Sequence, residues 1–203
     1  PEHLWSNLDF KDATETAKRL VPKIRRAAKA DVIAVVVHSG VGPEHSKSRM
    51  LDHCAYQIAE QVPGIDVVFC GHDHREANRE ILNDSTQQKV LVLNPGANAM
   101  RVAQADFMLG LDSNGKVVKK QITGQLVDIR NQEPDQDFLK RFQKDFEAIK
   151  EFTTQVIGYN KATLDTRPAF FGSSPFVDYI HQIQLAVTGA DISFAAPLSF
   201  DAA

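Results

Sequence analysis

The residues that point to chemistry are histidines at the ends of apolar runs. Ile65-Asp-Val-Val-Phe-Cys-Gly-His-Asp-His74 carries two of them. In an extended chain, residues two apart point the same way. His72 and His74 are therefore expected to aim at one point, with Asp73 facing elsewhere and Gly71 allowing a sharp turn before them. Converging imidazoles suit a divalent transition metal. A lone Gly-His-x-His also fits solvated loop histidines. A second stretch weighs against that reading: Asp31-Val-Ile-Ala-Val-Val-Val-His-Ser-Gly40 is again an apolar run closed by a histidine, His38. Two such strands fit a parallel sheet with its ligands at the carboxyl edge.

The elements that must position these residues alternate. Asp12 or Thr14 can cap a helix to about residue 30, with Ala17, Leu20, Val21, Ile24 and Ala28 on one face and Pro22 as a bend or restart. A buried strand is expected over 31–37 and a loop over 39–46. A helix follows over 47–61, with Leu51, Cys54, Ala55 and Ile58 inward. Pro63-Gly64 then introduces the strand 65–70. Residues 75–81 are mixed and charged, and 90–93 is a third apolar strand. Asp112-Ser-Asn-Gly115 marks a hairpin between strands at 101–111 and 117–129. This is an α/β pattern whose hairpin implies a mixed sheet or a second sheet packed on the first. Beyond a boundary at 131–136, a helix over 135–150 carries Phe138, Phe142, Phe146 and Ile149 at helical spacing, a packing stripe. Short strands are expected at 156–159 and 162–164. Ser174-Pro175 starts a helix to about residue 188, with Phe176, Ile180, Ile183 and Val187 inward. Gly189 closes it, and 192–196 reads as a last strand.

Composition narrows the class. The 203 residues suffice for one large or two small domains. Hydrophobic residues make up 43%, enough for a core, and the net charge of −3 gives no basic surface for a nucleic-acid polymer. No apolar run approaches the length of a membrane span. Cys54 and Cys70 form no disulfide framework and read as buried thiols. The chain starts Pro1-Glu-His without an initiator Met or a signal peptide and stops after Phe200-Asp-Ala-Ala203 without a closing element, so both ends read as cuts.

The two histidine stretches together, with Val156-Ile-Gly158 and Gly172-Ser-Ser-Pro-Phe176 through Thr188-Gly-Ala-Asp-Ile192, resemble the calcineurin-like metallophosphoesterases. The nearest branch is the bacterial 5′-nucleotidase and 2′,3′-cyclic-nucleotide 2′-phosphodiesterase group. The resemblance implies an α/β fold: the C-terminal part of a metallophosphoesterase αββα sandwich at 1–130, a linker helix at 131–152, and the truncated start of a 5′-nucleotidase-type C-terminal domain at 153–203. It implies an exported, periplasmic or secreted, two-metal hydrolase of phosphate esters or nucleotides. It carries metal roles onto His38, His72 and His74.

The family's earlier ligand motifs, Asp-x-His, Gly-Asp and Gly-Asn-His, have no match before Asp31. The chain therefore reads as a fragment whose partner includes its own N-terminal segment. Two divalent ions (Zn, Mn, Fe, Co or Ca) are expected in the full-length protein and at most one here, held by three histidines. The family's leaving-group acid is among the missing motifs, so no catalytic acid or base is named, and the isolated chain is expected to be weak or inactive. Where the family often shows Asn-Gly-Gly-Gly-Ile-Arg, this chain has Ala196-Pro-Leu-Ser-Phe-Asp201, which leaves nucleotide specificity open.

Other polar residues rank lower. Asp73 is suited to hold the loop through backbone hydrogen bonds. His53 is expected on a helix and partly solvated. His45 lies in a flexible loop, with contact to substrate as the lesser reading. Arg75 reads as solvated, and His3 and His181 lack supporting neighbours. Ser39 and Ser174 lack a His/Asp arrangement for nucleophilic catalysis. Two other readings stand beside the phosphoesterase. One is a non-catalytic metal-binding or scaffold module. The other is an amidohydrolase-type zinc hydrolase, against which the hairpin after His-x-His counts.

Overall fold

Helix α1, Ala13–Ala28, starts where Asp12 accepts a hydrogen bond from the Glu15 amide at 2.8 Å. Pro22 is accommodated within it. The computed structural model describes residues 8–196. His3 and nearly all of the 196–201 segment lie outside the described residues. The chain divides into two units, Pro1–Glu133 and Pro134–Ala203.

In the first unit, β1 (Ala34–Val36), α2 (Ala55–Gln61), β2 (Val67–Phe69), β3 (Glu76–Leu82) and β4 (Lys89–Pro95) follow α1. They build a four-stranded sheet in the order β1-β2-β4-β3. β1, β2 and β4 run parallel, and β3 returns antiparallel to β4. Strands β5 (Arg101–Leu111) and β6 (Val117–Asp128) pair as a separate two-stranded sheet. The sheet is thus mixed, and a second sheet packs on it. The α/β fold class expected from the sequence is the one observed.

The core has two parts. On one face of the sheet, Val68, Val90 and Val92 pack with Val21 of α1 and Ala55, Ile58 and Ala59 of α2. On the other, Val67, Leu91 and Leu93 meet Ala103, Ala105, Ile122 and Leu126 of the hairpin. The hairpin comes close because Gly124 has no side chain: a Cβ there would lie 2.7 Å from a Leu91 methyl carbon and 2.8 Å from one of Leu93. Asn78 Nδ2 donates to the Gly124 carbonyl at 2.8 Å across the same junction. Asp66, only 9% exposed, is the polar rivet of the unit. It accepts from the Ile33 amide at 2.8 Å, from Lys120 Nζ of β6 at 2.6 Å and from Arg25 of α1 at 3.4 Å.

Several local expectations are corrected. The helix expected over 47–61 forms only over Ala55–Gln61. Side chains hold the backbone groups that its first turns would use. Gln57 Nε2 donates to the carbonyls of Ser46 (3.0 Å) and Ser48 (2.8 Å), and the Met50 amide donates to Asp12 at 2.7 Å. The charged stretch after His74 is a strand, β3, paired antiparallel with β4, and only its Ala77 and Ile81 are buried. β1 is shorter than 31–37 and is not fully buried: it is the edge strand, and Val36 is 82% exposed.

In the second unit, α3 (Gln136–Thr153) is capped by Asp135, which accepts from the Phe138 amide at 2.7 Å. The aromatic stripe does not pack as expected. Among the described residues, α3 buries none of its own, and the Phe138 and Phe142 rings rest on each other with centroids 4.7 Å apart. The strands expected at 156–159, 162–164 and 192–196 do not form. Among the described residues these runs have no pairing partner in the unit, and Ile157 is 99% exposed. A 3-10 turn at Arg167–Phe170 leads into α4 (Pro175–Thr188), which ends as expected at Gly189 with φ 65°. The buried position of α4 is Val177; Ile183 and Val187 are exposed.

Candidate metal centre

β1 and β2 are adjacent parallel strands, so the segments leaving their carboxyl ends run side by side. The pairing extends past the strands: the Val37 amide donates to the Phe69 carbonyl at 3.0 Å and the Gly71 amide to the Ser39 carbonyl at 3.1 Å. His38 and His72 are thereby set opposite each other on main chain held by the sheet. Their rings meet edge to face with centroids 5.0 Å apart, and His72 Nδ1 lies 3.2 Å from His38 Nε2.

His74 is placed differently. The backbone is not extended through His-x-His: φ is 91° at His72 and 57° at His74. The alternation that would align their rings is therefore lost. His74 is exposed. Among the described residues it makes no hydrogen bond, ion pair or ring contact with His38 or His72. Asp73 faces the cleft wall instead. It accepts from the Val41 amide (3.0 Å), the Arg75 amide (3.2 Å) and Asn94 Nδ2 (2.7 Å). Burial pushes this carboxyl up, but the donors of Val41, Arg75 and Asn94 outweigh it and hold the carboxyl below its ordinary range. This is the loop-holding role expected of it.

Two residues join the site that the sequence reading did not place there. Asp52 Oδ2 lies 3.2 Å from His72 Nε2 and 3.8 Å from His53 Nε2. Asp52, His53 and His72 offer donor atoms all within 4.8 Å of one another. His53 precedes α2 rather than lying on it, is half-buried, and stands 5.4 Å from the His72 ring. Its Nδ1 is buried without a hydrogen-bond partner. The available signal was the pair Asp52-His53 just ahead of a helix, but only the long ordered loop brings it back to the strand ends. Ser39 organises that return: its Oγ accepts from the Cys54 amide at 2.8 Å and donates to the Asp52 carbonyl at 2.6 Å. The loop is further tied down by buried Glu60, whose two oxygens accept from the His45 amide at 3.0 and 2.9 Å. His45 is thus a clamp residue as well as a loop histidine. The whole borders an open pocket of about 640 Å³ lined by Val41, Gly42, Pro43, His53, His72 and Arg75 among others.

The donor set fits a divalent ion. Two nitrogens on one tetrahedral zinc, each at 2.0–2.1 Å, are roughly 3.3 Å apart. The His38–His72 nitrogens stand at 3.2 Å. The orphaned His53 Nδ1 and the Asp52 carboxylate add polar groups without an apolar role.

The chain is similar to the 2′,3′-cyclic-nucleotide 2′-phosphodiesterase/3′-nucleotidase of Salmonella typhimurium, at 26% identity over 204 aligned positions. These take in 91% of this chain and 30% of that protein. Among solved structures it is similar to a putative 5′-nucleotidase from Staphylococcus aureus, with TM-score 0.62, 20% identity, and coverage of 90% of this chain and 35% of that one. It is also similar to the calcineurin-like phosphoesterase YfkN from Bacillus subtilis, with TM-score 0.59, 20% identity, and coverage of 72% and 46%. The chain has the calcineurin-like phosphoesterase fold. The resemblance read from its histidine motifs therefore stands at the level of fold and of relatives. No family profile matches the chain. It spans about 30% of the length of the curated relative. Among the described residues, no helix is long and apolar enough to cross a membrane.

Proposed function

We propose that this chain contributes part of the metal site of a phosphoesterase that hydrolyses small phosphate esters of the nucleotide class. His38, His72 and His74 are its metal ligands. The observation that carries the reading is the meeting of His38 and His72 at the ends of two parallel strands, at a separation that suits one ion.

A divalent ion held there would polarise a phosphoryl oxygen and lower the pKa of a bound water. The chain's own residues do the positioning. β1 and β2 hold the two imidazoles, and Asp73 fixes the turn that carries His72. His74 has to turn toward the pair to join it. No residue is assigned as catalytic acid or base. We further propose that the larger enzyme holds two divalent ions and that the stretch described here holds at most one. The units are read as a catalytic part at 1–130, a linker at 131–152 and the start of a C-terminal domain at 153–203. A periplasmic or secreted setting is proposed from the family resemblance alone.

The test is metal titration with hydrolysis on the same sample. Cobalt uptake is followed by its visible absorption, and turnover is followed with bis(p-nitrophenyl) phosphate, a 3′-nucleotide and a 2′,3′-cyclic nucleotide. One ion per chain is expected, lost in His38→Ala and in His72→Ala, with weak turnover that depends on the ion. Uptake that survives both substitutions overturns the ligand assignment. Uptake without turnover, even beside the rest of the protein, favours a non-catalytic metal-binding module.

A further inference from the structure

We infer that Asp52 is a positioning residue for His72: its carboxylate fixes the imidazole so that Nδ1, and not Nε2, is presented to a metal ion shared with His38. The inference rests on the reading that His38 and His72 hold a divalent ion, and it adds a residue that the family motifs do not contain.

Both nitrogens of His72 are spoken for. Nε2 lies 3.2 Å from Asp52 Oδ2, and Nδ1 lies 3.2 Å from His38 Nε2. A neutral imidazole has one N–H, and an ionised carboxylate only accepts. The tautomer with its proton on Nε2 lets the ring donate to Asp52 Oδ2, and it leaves the Nδ1 lone pair aimed at His38. With an ion between them, His38 Nε2 is bare as well. The partner of one ring nitrogen decides which nitrogen is free to bind a metal, and a carboxylate in that place also raises the basicity of the ligand.

The supports of the two poles differ in the way this division of labour needs. His38 and His72 sit on main chain bonded into the sheet. Asp52 sits on a loop, is 77% exposed, and is held through its own carbonyl by Ser39. The ligands sit beside the sheet and the orienting group on a loop that Ser39 ties to the same strand end. The alternative, an ion bound by Asp52, His53 and His72 Nε2, also has its donor atoms within 4.8 Å of one another; it leaves His38 outside the set and puts the ion on the other nitrogen of His72, which the experiment distinguishes.

The experiment uses the chain labelled with 15N at histidine, as wild type, Asp52→Ala and Asp52→Glu. Without metal, the wild-type His72 ring is expected as the Nε2-protonated tautomer. Asp52→Ala should give mixed tautomers and Asp52→Glu should restore the wild-type pattern. Zinc affinity, by competition with a chromophoric chelator, should fall about 10–100-fold in Asp52→Ala and recover in Asp52→Glu. The thermal midpoint should be unchanged in both, because Asp52 is exposed. With 113Cd bound, coupling should appear to His72 Nδ1. Coupling to Nε2, or a tautomer and an affinity that do not respond to Asp52→Ala, overturns the proposal. If wild type takes up no ion, the metal reading fails, and the tautomer comparison alone decides whether Asp52 orients His72.

Discussion

Gly40→Ala is the substitution on which the packing of the site can be judged most directly. Gly40 follows Ser39 where the loop turns under the histidines. A Cβ built there would lie 2.3 Å from His53 Nδ1 and 2.6 Å from Asp73 Oδ2. Ordinary contact begins near 3.4 Å, so the carboxylate would have to retreat by roughly 0.8 Å. Asp73 is not a free side-chain tip. Retreat stretches its bonds to the Val41 amide and Asn94 Nδ2 from 3.0 and 2.7 Å past the useful range. Hydrogen bonds to a charged group contribute about 1.5–3 kcal/mol each. Partial solvation of the site reduces the combined loss to about 2–4 kcal/mol. Against this, replacing Gly by Ala at a compatible backbone gains about 0.4–1 kcal/mol from the unfolded chain. The net expectation is a destabilisation of about 1–3 kcal/mol. With an m-value of about 1.5 kcal/mol per molar urea, the unfolding midpoint of Gly40→Ala falls by about 0.7–2 M. The assay is urea unfolding at neutral pH, followed by circular dichroism. A midpoint equal to wild type or above it refutes the reasoning, because the entropic gain would then be the only effect left.

Three further outcomes are expected. Asp12 caps α1 and also holds the Met50 amide, and these donors keep its carboxyl below the ordinary value. Its contribution is therefore complete above the unfolded pKa and is lost as pH falls through the lower folded one. Asp12→Ala should cost about 1 kcal/mol at pH 7, and the gap from wild type should shrink in urea melts toward pH 2. Cys54 and Cys70 are buried, and burial drives both thiols up, that of Cys70 to about 12. Neither should react with a disulfide reagent at pH 8 until urea is added; fast labelling of the native chain would contradict the core assignment. Asp66→Ala removes the carboxylate from Lys120, Arg25 and the Ile33 amide, while Lys120 keeps the Asp31 carbonyl and Arg25 those of Ala30 and Gly64. Loss of a buried ion pair costs about 3–5 kcal/mol, and since both cations are partly exposed about 2–4 kcal/mol is expected from thermal melts.

Much of the first unit was legible in the chain because its signals are local. In this unit the apolar, β-branched runs at 34–36, 67–69 and 90–93 each form a strand. Asp112-Ser-Asn-Gly115 makes a turn by itself, with Gly115 at φ 77° and Asp112 accepting from the Asn114 and Lys116 amides. Asp12 and Asp135 cap helices through amides three residues on. The histidines at the strand ends were visible for the same reason.

What failed depended on partners distant in sequence. Residues 47–54 have helical periodicity, yet Gln57, Asp12 and Ser39 hold their backbone groups. The charged β3 is a strand because β4 pairs with it. The runs at 156–159 and 162–164 stay unpaired because, among the described residues, the second unit supplies no neighbouring strand. The site divides along the same line. Residue type and strand-end position marked His38, His72 and His74 alike. Tertiary structure alone decided that His38 and His72 face each other at 3.2 Å, that positive φ at His72 and His74 breaks the alternation, and that a loop returns Asp52 to the far side of the His72 ring. Hydrogen bonds between residues tens of positions apart have no periodicity for a sequence to display. They form only once the sheet has brought the strand ends together.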